Sequence, residues 1–390
     1  MNTNYDPLAT VQAAGPPGSI SFIYGLPDPN TFPYADLRSA FESVFHELGE
    51  LALQYGPNQG YGPLIDYLRD KIRREESQVI ERPQIMLSGG ASQALDHCCS
   101  LFTRANDVVI VEAPSYHESL LLFKNHGLSA HGIPMDDDGM NIDILESHLK
   151  KLKAGRKKPS FIYTIPTFQN PSGITLSEKK RRDLLTIAER EDLIIIEDDV
   201  YSDLAYEETK IPTLFSLDEG KRVIRFGSFS KIIAPGLRLG WILGPDHLIK
   251  RLIRSGLRSM GGGSNPLTAV AMAHYCRKDH LESHIVYLRQ IYKERRDVML
   301  AALEINMPEE VSWTKPGGGF FVWLTLPQGL QSEDVKKAAK NENIYFLAGD
   351  PFFTERPGKQ YLRLSFSYVP PDKIREGIIT LAEILKSIMD

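Results

Sequence analysis

Five short segments of this 390-residue chain carry residue types that do chemistry in combination. In GSFSKIIAPGLRLGW, Lys231 ends an apolar run, with hydroxyls at Ser228 and Ser230 and a guanidinium at Arg238 beyond a Pro-Gly turn. Burying an ammonium is costly unless it is paired or its pKa falls. A lysine of lowered pKa is a nucleophile able to form a Schiff base with an aldehyde. Two hydroxyls and an arginine beside it suit a phosphate dianion. In LSGGASQALD, the turn through Gly90, Ala91 and Ser92 leads from an apolar run into a helical pattern. Unpaired backbone amides and the positive end of a helix dipole would meet there, an arrangement that binds phosphate. LIIIEDDVY places Asp198 at the end of an apolar run with Tyr201 three residues on. A carboxylate in that position points into the crevice where α/β proteins bind ligands, and it can keep a ring nitrogen protonated so that the ring acts as an electron sink. PTFQNPSG fixes Asn170 in a proline-flanked turn, and YLRLSFS embeds Arg363 in an apolar strand, where its planar fork suits a carboxylate. Each segment also has a plainer reading: a surface lysine, a loop glycine, a helix cap or metal ligand, a turn.

The elements that must position these residues follow from hydrophobic periodicity. Strands are expected at Ile85–Leu87, at Val108–Val111, and from Leu128, Phe161, Leu193, Val223 and Leu239. Amphipathic helices alternate with them, as in SEKKRRDLLTIAERE, where Leu184, Leu185 and Ile187 are apolar among charges and Ser177 stands in a capping position. Nearly continuous apolar strands separated by helices predict an α/β domain with a mostly parallel sheet between helical layers. Beyond about residue 265 one long helical pattern, from Leu267 to Leu300, precedes a strand pair around FFVWLTLP and YLRLSFS, an α+β composition. The first 35 or so residues, rich in Pro and Gly, read as an extended arm. The expected division is an arm over 1–45 packing with the small domain, a large domain over 46–275 and a small domain over 276–390.

Composition narrows the function classes. Lys and Arg number 45 against 50 Asp and Glu, a net charge of −5, so there is no broad basic footprint for nucleic acid. Hydrophobic residues at 42% and charged residues at 24% allow a large core. Three cysteines cannot build a disulfide framework, and Cys98 and Cys99 read as core packing. The N-terminus lacks the basic and apolar regions of a secretory signal, and no apolar run approaches the roughly 18 residues of a membrane span. A cytoplasmic location is expected, with no membrane or nucleic-acid partner and no metal site. The acidic run Asp136 to Asp138 reads as a solvated turn, and KLKAGRKKP as an exposed loop.

Taken together and in this order, the segments resemble those of fold-type I, pyridoxal-phosphate-dependent aminotransferases of class I/II, and within them the branch of 2-aminoadipate/kynurenine aminotransferases and of the aminotransferase-like domains of bacterial regulators. The resemblance runs from GLPDPNTFP through YGPNQGYGPL, SGGASQAL, EAPSYHESL, PTFQNPSG, IIIEDDVYSDL, SFSKIIAPGLRLGW and PGGGFFVW to GDPFF and YLRLSFS. It implies the fold of that family: a large domain with a seven-stranded, mostly parallel sheet between helices, plus a smaller α+β domain. It implies pyridoxal 5′-phosphate as cofactor, and ping-pong transfer of the amino group of an L-amino acid to a 2-oxo acid.

By the same resemblance, Lys231 forms the Schiff base with the cofactor and shuttles the proton. Asp198 pairs with the pyridine nitrogen, Asn170 and Tyr201 bond the ring's 3′ oxygen, and Tyr116 stacks on the ring. Gly90, Ala91, Ser92, Ser228, Ser230 and Arg238 fall where the phosphate is held. Tyr55 matches a tyrosine reaching the phosphate of the neighbouring subunit, which implies a homodimer with shared active sites. Arg363 clamps the substrate α-carboxylate, helped by Asn170 and the backbone near Gly25. Three positions depart from the family's pattern: Tyr24 in IYGLPDP, the glycine-rich stretch GLRSMGGGSNPL, and Phe320 in PGGGFFVW, where methionine is common. All three concern substrate choice; Tyr24 is placed to narrow or cover the substrate site.

Two other outcomes share parts of this pattern. A lyase, decarboxylase or oxidase acting on an amino acid uses the same cofactor and the same early steps. A ligand-sensing regulator domain follows a winged-helix domain, for which the sequence ahead of the arm offers no room.

Overall fold

The computed structural model describes residues 16, 18–207, 211–355 and 358–389. Residues 1–15 and 17 of the segment read as an extended arm lie outside the described residues.

The apolar runs form one sheet, in the spatial order Ile85–Ser88, Gly240–Leu243, Val223–Ser228, Ile194–Asp198, Pro159–Thr164, Val108–Ala113, Ser129–Asp136 and Gly139–Met140. All seven expected strands are present. The eighth, Gly139–Met140, is a two-residue edge strand hairpinned antiparallel onto Ser129–Asp136, too short to leave a periodic signal. Five neighbouring strands pair in parallel. Gly240–Leu243 runs antiparallel to both of its neighbours, so Ile85–Ser88 points the same way as the five. The carboxyl ends of six strands therefore open on one edge, where such sheets bind ligands. The central strands are buried at all but single positions such as Ala113 and Ser160, which is why they read as apolar runs.

Helices between the strands bury one stripe each. In Glu178–Arg190, Leu184 and Ile187 are buried, Leu185 is partly so, and the Ser177 hydroxyl caps the first turn by accepting from the Lys180 amide. The Asp136–Asp138 turn is neutralised by Lys180, which pairs with Asp136 at 2.8 Å and Asp138 at 2.6 Å.

A second, four-stranded antiparallel sheet follows, in the order Ser312–Trp313, Phe321–Thr325, Tyr361–Ser365, Leu347–Ala348. Its register places Trp323 opposite Arg363. The helical pattern from Leu267 to Leu300 is two helices rather than one, Pro266–Tyr275 and His280–Asn306. Asp279 sits between them with φ 57°, the left-handed conformation that an aspartate tolerates and a helix does not continue through. Ile20–Ser21 adds a short parallel pair to Ile344–Tyr345, while helix Tyr34–Leu48 packs on Pro266–Tyr275.

Candidate functional site

Lys231 lies just past strand Val223–Ser228, where its Nζ donates to the Gly25 carbonyl at 2.9 Å. Crowding strips water from the ammonium, and the Arg363 and Arg238 guanidinia repel it. Asp198 only partly offsets them, so the lysine pKa falls to about 8. The rings of Tyr201 and Phe320 each lie 6.0 Å from Nζ. This is a lysine tuned toward its neutral, nucleophilic form.

Asp198 closes the neighbouring strand Ile194–Asp198. Its Oδ2 accepts from the Tyr163 hydroxyl at 2.8 Å, whereas Oδ1 is buried with no partner. Burial pushes its pKa up to about 6, and the adjacent Asp199 adds to the rise. The strand pleat sends Asp199 the other way, to Arg225 at 2.7 Å, and Arg225 also pairs with Glu76 at 2.7 Å. Of the two consecutive aspartates, one faces the crevice and one is tied into a buried ion-pair network behind it.

Asn170 is held by a turn that buried polar groups build. Glu112 accepts from Thr164 Oγ1 at 2.5 Å, from the Ile165 amide and from Gln169, and Gln169 also donates to the Pro114 carbonyl at 2.8 Å. Asn170 Oδ1 accepts from Arg363 Nη1 at 2.8 Å. Arg363 also donates through Nη2 to the Ile23 carbonyl, and its Nε is buried and unpartnered. Its guanidinium lies 4.3 Å from the Phe321 ring centroid and 5.1 Å from that of Phe352. Burial lowers its pKa to about 10, leaving it cationic at neutral pH with no carboxylate paired to it among the described residues. Burial pushes Tyr116 up to about 12 and Tyr201 higher still, so both keep their hydroxyl protons.

The turn after strand Ile85–Ser88 makes a cradle. Gly90 has φ 97° and begins helix Ala91–Phe102; a Cβ there would lie 3.0 Å from Arg238 Nη2. Arg238, itself left-handed at φ 47°, reaches the Gly89 carbonyl at 3.0 Å. Ser228 Oγ accepts from the Ser230 amide at 3.1 Å. The first-turn amides at Ala91 and Ser92, two hydroxyls and a guanidinium thus belong to one end of the sheet, a donor set for a phosphate dianion.

The geometry brings Lys231, Asp198, Tyr201, Asn170, Arg363, Tyr116 and the carbonyl of Gly25 to one crevice. Tyr55 is not among them: it is 81% exposed, with its ring against Gly261. Tyr24 is half-buried in the arm beside Gly25. Sequence reading missed Tyr163, which passes for a core aromatic until its hydroxyl is seen on Asp198. It missed His117 too, whose ring meets Phe352 at 4.9 Å and whose pKa burial and Arg363 lower to about 4. His280 and His284 stand at ligand spacing on one helix, yet among the described residues no third ligand joins them.

The sequence matches the family profile described as aminotransferase class I and II over residues 27–381. The chain belongs to the class I and II aminotransferases. It is 41% identical over 370 residues to an aromatic-amino-acid aminotransferase 1 of Thermococcus litoralis, covering 95% of this chain and 88% of that protein. It is 34% identical to a 2-aminoadipate transaminase of Thermus thermophilus, over 96% of this chain and 91% of that one. Among solved structures, a Pyrococcus horikoshii kynurenine aminotransferase superposes with a TM-score of 0.90 at 40% identity, covering 95% of this chain and 91% of that one. The aminotransferase is thus an enzyme of amino and 2-oxo acids that uses pyridoxal phosphate, and its residues fit that cofactor. The orphaned Asp198 Oδ1 would suit a ring N–H, the lysine of lowered pKa an aldehyde, and the Gly90 cradle a phosphate. Transamination is favoured over elimination, decarboxylation or oxidation, and among the described residues no helix is long and apolar enough to cross a membrane.

Proposed function

We propose that this aminotransferase takes an L-amino acid with a large, preferentially aromatic side chain as donor and passes its amino group to a 2-oxo acid. The supporting observation is the aromatic wall around the reactive lysine. Tyr201 and Phe320 each stand 6.0 Å from Lys231 Nζ, and Tyr292 meets Phe320 at 4.9 Å. Apolar rings of this kind bury a large side chain favourably. The relatives named for aromatic amino acids, 2-aminoadipate and kynurenine support a large side chain.

The residue roles are proposed as follows. Gly90, Ala91, Ser92, Ser228, Ser230 and Arg238 hold the phosphate, Asp198 the ring nitrogen, Asn170 and Tyr201 the ring oxygen, and Tyr116 the ring face. When bound, pyridoxal phosphate supplies an aldehyde for an amine and a ring that accepts the electron pair left at Cα. Arg363 binds the α-carboxylate with Asn170 beside it, fixing the direction of the Cα–H bond; such positioning removes several kcal/mol from a barrier. Lys231, neutral for part of the time near pH 8, would take the Cα proton and deliver it to the cofactor's C4′ carbon, on the far side of the shared nitrogen. Tyr24 and Gly25 cover the substrate.

We also propose a homodimer with shared active sites, in which Tyr55 reaches the phosphate of the second subunit; its exposure supports this. The chain is proposed to divide into an arm (1–45), a large domain (46–275) and a small domain (276–390), helix Tyr34–Leu48 spanning the first boundary. A cytoplasmic location is proposed.

The test is a single half-reaction. The enzyme loaded with pyridoxal phosphate is mixed with each of a panel of L-amino acids without acceptor, and the 2-oxo acid released per site is counted. One equivalent, fastest with phenylalanine, tyrosine, tryptophan or kynurenine, is expected. Fastest release from alanine or aspartate would refute the aromatic preference, and continuous release beyond one equivalent would refute the ping-pong assignment.

A further inference from the structure

The stretch GLRSMGGGSNPL, unusual for its glycines, is built around a buried arginine and an exposed tyrosine. Arg258 is buried and forms no ion pair among the described residues; burial alone lowers its pKa to about 10. Its Nη2 donates to the Leu87 carbonyl in the strand that leads into the phosphate cradle, and its Nη1 is buried without a partner.

Each of the three following glycines leaves room for a particular neighbour. At Gly263 a Cβ would collide with Arg258 Nη1. At Gly262 it would lie 2.8 Å from Leu257 Cγ, and the Gly262 amide donates to the Leu257 carbonyl at 2.8 Å. At Gly261, where φ is +84°, it would lie 2.7 Å from Cε1 and 2.8 Å from Cδ1 of Tyr55. A second contact repeats the pairing one residue along: a Cβ at Gly56 would lie 3.1 Å from Pro266 Cγ. The Tyr55 segment and the glycine segment therefore touch where bare glycine backbone meets a ring, closely at Gly261 and tightly at Gly56.

The same loop is tied to the phosphate cradle of its own subunit. Gln93 accepts from the Gly89 amide at 2.6 Å through Oε1 and reaches the Gly262 carbonyl at 3.5 Å through Nε2. One side chain thus spans from the cradle to the middle of the triglycine.

We propose that Gly261–Gly263, pinned by Arg258 and Gln93, is a positioning strap that aims Tyr55 at the cofactor phosphate of the second subunit while anchoring it to the phosphate cradle of the first. The proposal rests on the homodimer reading above. The strap acts through Tyr55 and touches no reacting atom. Gly261 is required because the Tyr55 ring lies on it: a side chain there would displace the ring whose hydroxyl has to cross the interface. Arg258 carries the load on the other side, filling the space beneath Gly263 and holding the Leu87 carbonyl.

The test uses dimers resolved from the holoenzyme and reads binding rather than turnover. Tyr55→Phe, Gly261→Ala, Arg258→Met and the doubles Y55F/G261A and Y55F/R258M are titrated with pyridoxal phosphate and with pyridoxal, which lacks the phosphate. Sedimentation gives the subunit count of each. Losing one charge-assisted hydrogen bond to the phosphate should weaken pyridoxal phosphate about tenfold or more in Y55F and leave pyridoxal unchanged. G261A is expected to reproduce that phosphate-selective loss, R258M to reproduce part of it, and neither to add to Y55F, because residues acting through one group are not additive. If G261A and R258M weaken both ligands alike, or add in full to Y55F, the strap does not act through Tyr55 and the inference falls alone. If Y55F binds pyridoxal phosphate as tightly as the parent, or the parent sediments as a monomer, the shared-site reading falls and takes the inference with it.

Discussion

Tyr163→Phe removes one oxygen atom and isolates one interaction. Tyr163 and Asp198 are both buried, and the 2.8 Å hydrogen bond between them favours the ionised carboxylate against a burial cost that already raises its pKa to about 6. A hydrogen bond to a buried charge contributes about 1.5–3 kcal/mol. One pH unit corresponds to about 1.4 kcal/mol, so its loss moves the Asp198 transition upward by about one to two pH units. If Asp198 holds the protonated ring nitrogen as proposed, cofactor affinity declines as pH falls through the Asp198 transition. In the parent that acid limb lies near pH 6; in Y163F it moves to between about 7 and 8. Equilibrium titration of the cofactor-free protein with pyridoxal phosphate from pH 5 to 9 measures both limbs. An unmoved limb in a Y163F protein of near-parent melting temperature would mean that Tyr163 is a packing residue and that Asp198 is set by burial alone.

Arg363→Lys keeps the charge but loses the planar fork that serves Asn170, the Ile23 carbonyl and a carboxylate together; kcat/KM should fall about a hundredfold for every donor, and a change under threefold would remove Arg363 from the substrate site. Lys231→Met in the cofactor-free protein should raise the melting temperature at pH 7. The folded pKa of Lys231, about 8, lies below its ordinary 10.5, so the unfolded chain binds more protons between those values and parent stability climbs through that window. The gap between variant and parent should close by about pH 10.5, and a gap independent of pH would refute the desolvated lysine. Arg225→Met strands Glu76 and Asp199 without their shared cation, a loss of about 3–5 kcal/mol in urea unfolding, and less than about 1 kcal/mol would show that water reaches them.

The legible part of this molecule is the part in which one residue does one local thing. Continuous apolar runs read as strands because both faces of the sheet are covered, and Lys231, Asp198 and the Gly90 turn stood out because a charge or a glycine at a strand end is conspicuous against that background. What could not be read depends on neighbours far along the chain. Tyr163 sits inside an apolar strand, and only the sheet register brings it beside the strand that carries Asp198. Nothing in the sequence marks Arg258 for burial; its place beneath Gly263 is set by how the loop folds. The single long helix after residue 266 failed at Asp279, where one left-handed residue breaks a pattern whose polarity never changes. The strand Gly139–Met140 escaped because two residues have no period.

The two consecutive aspartates show why the crevice is arranged as it is. A strand end that must present one ionisable carboxylate to a ligand cannot tolerate a second one on the same face, because like charges at close range raise each other's pKa. The pleat sends Asp199 to the opposite face, where Arg225, which also pairs with Glu76, offsets its charge. Asp198 still feels Asp199, which is part of why its pKa climbs, and Tyr163 and Lys231 pull it back. The buried ion pairs behind the sheet therefore do more than hold helix Gly62–Glu76 in place. By neutralising Asp199 they let Asp198 ionise near pH 6, and R225M should raise the acid limb of cofactor binding in the same direction as Y163F. Coupling through charge predicts that the double variant shifts the limb further than either single one. If R225M costs stability but leaves the limb where it was, the network behind the sheet is structural only and Asp198 is tuned from the crevice side alone.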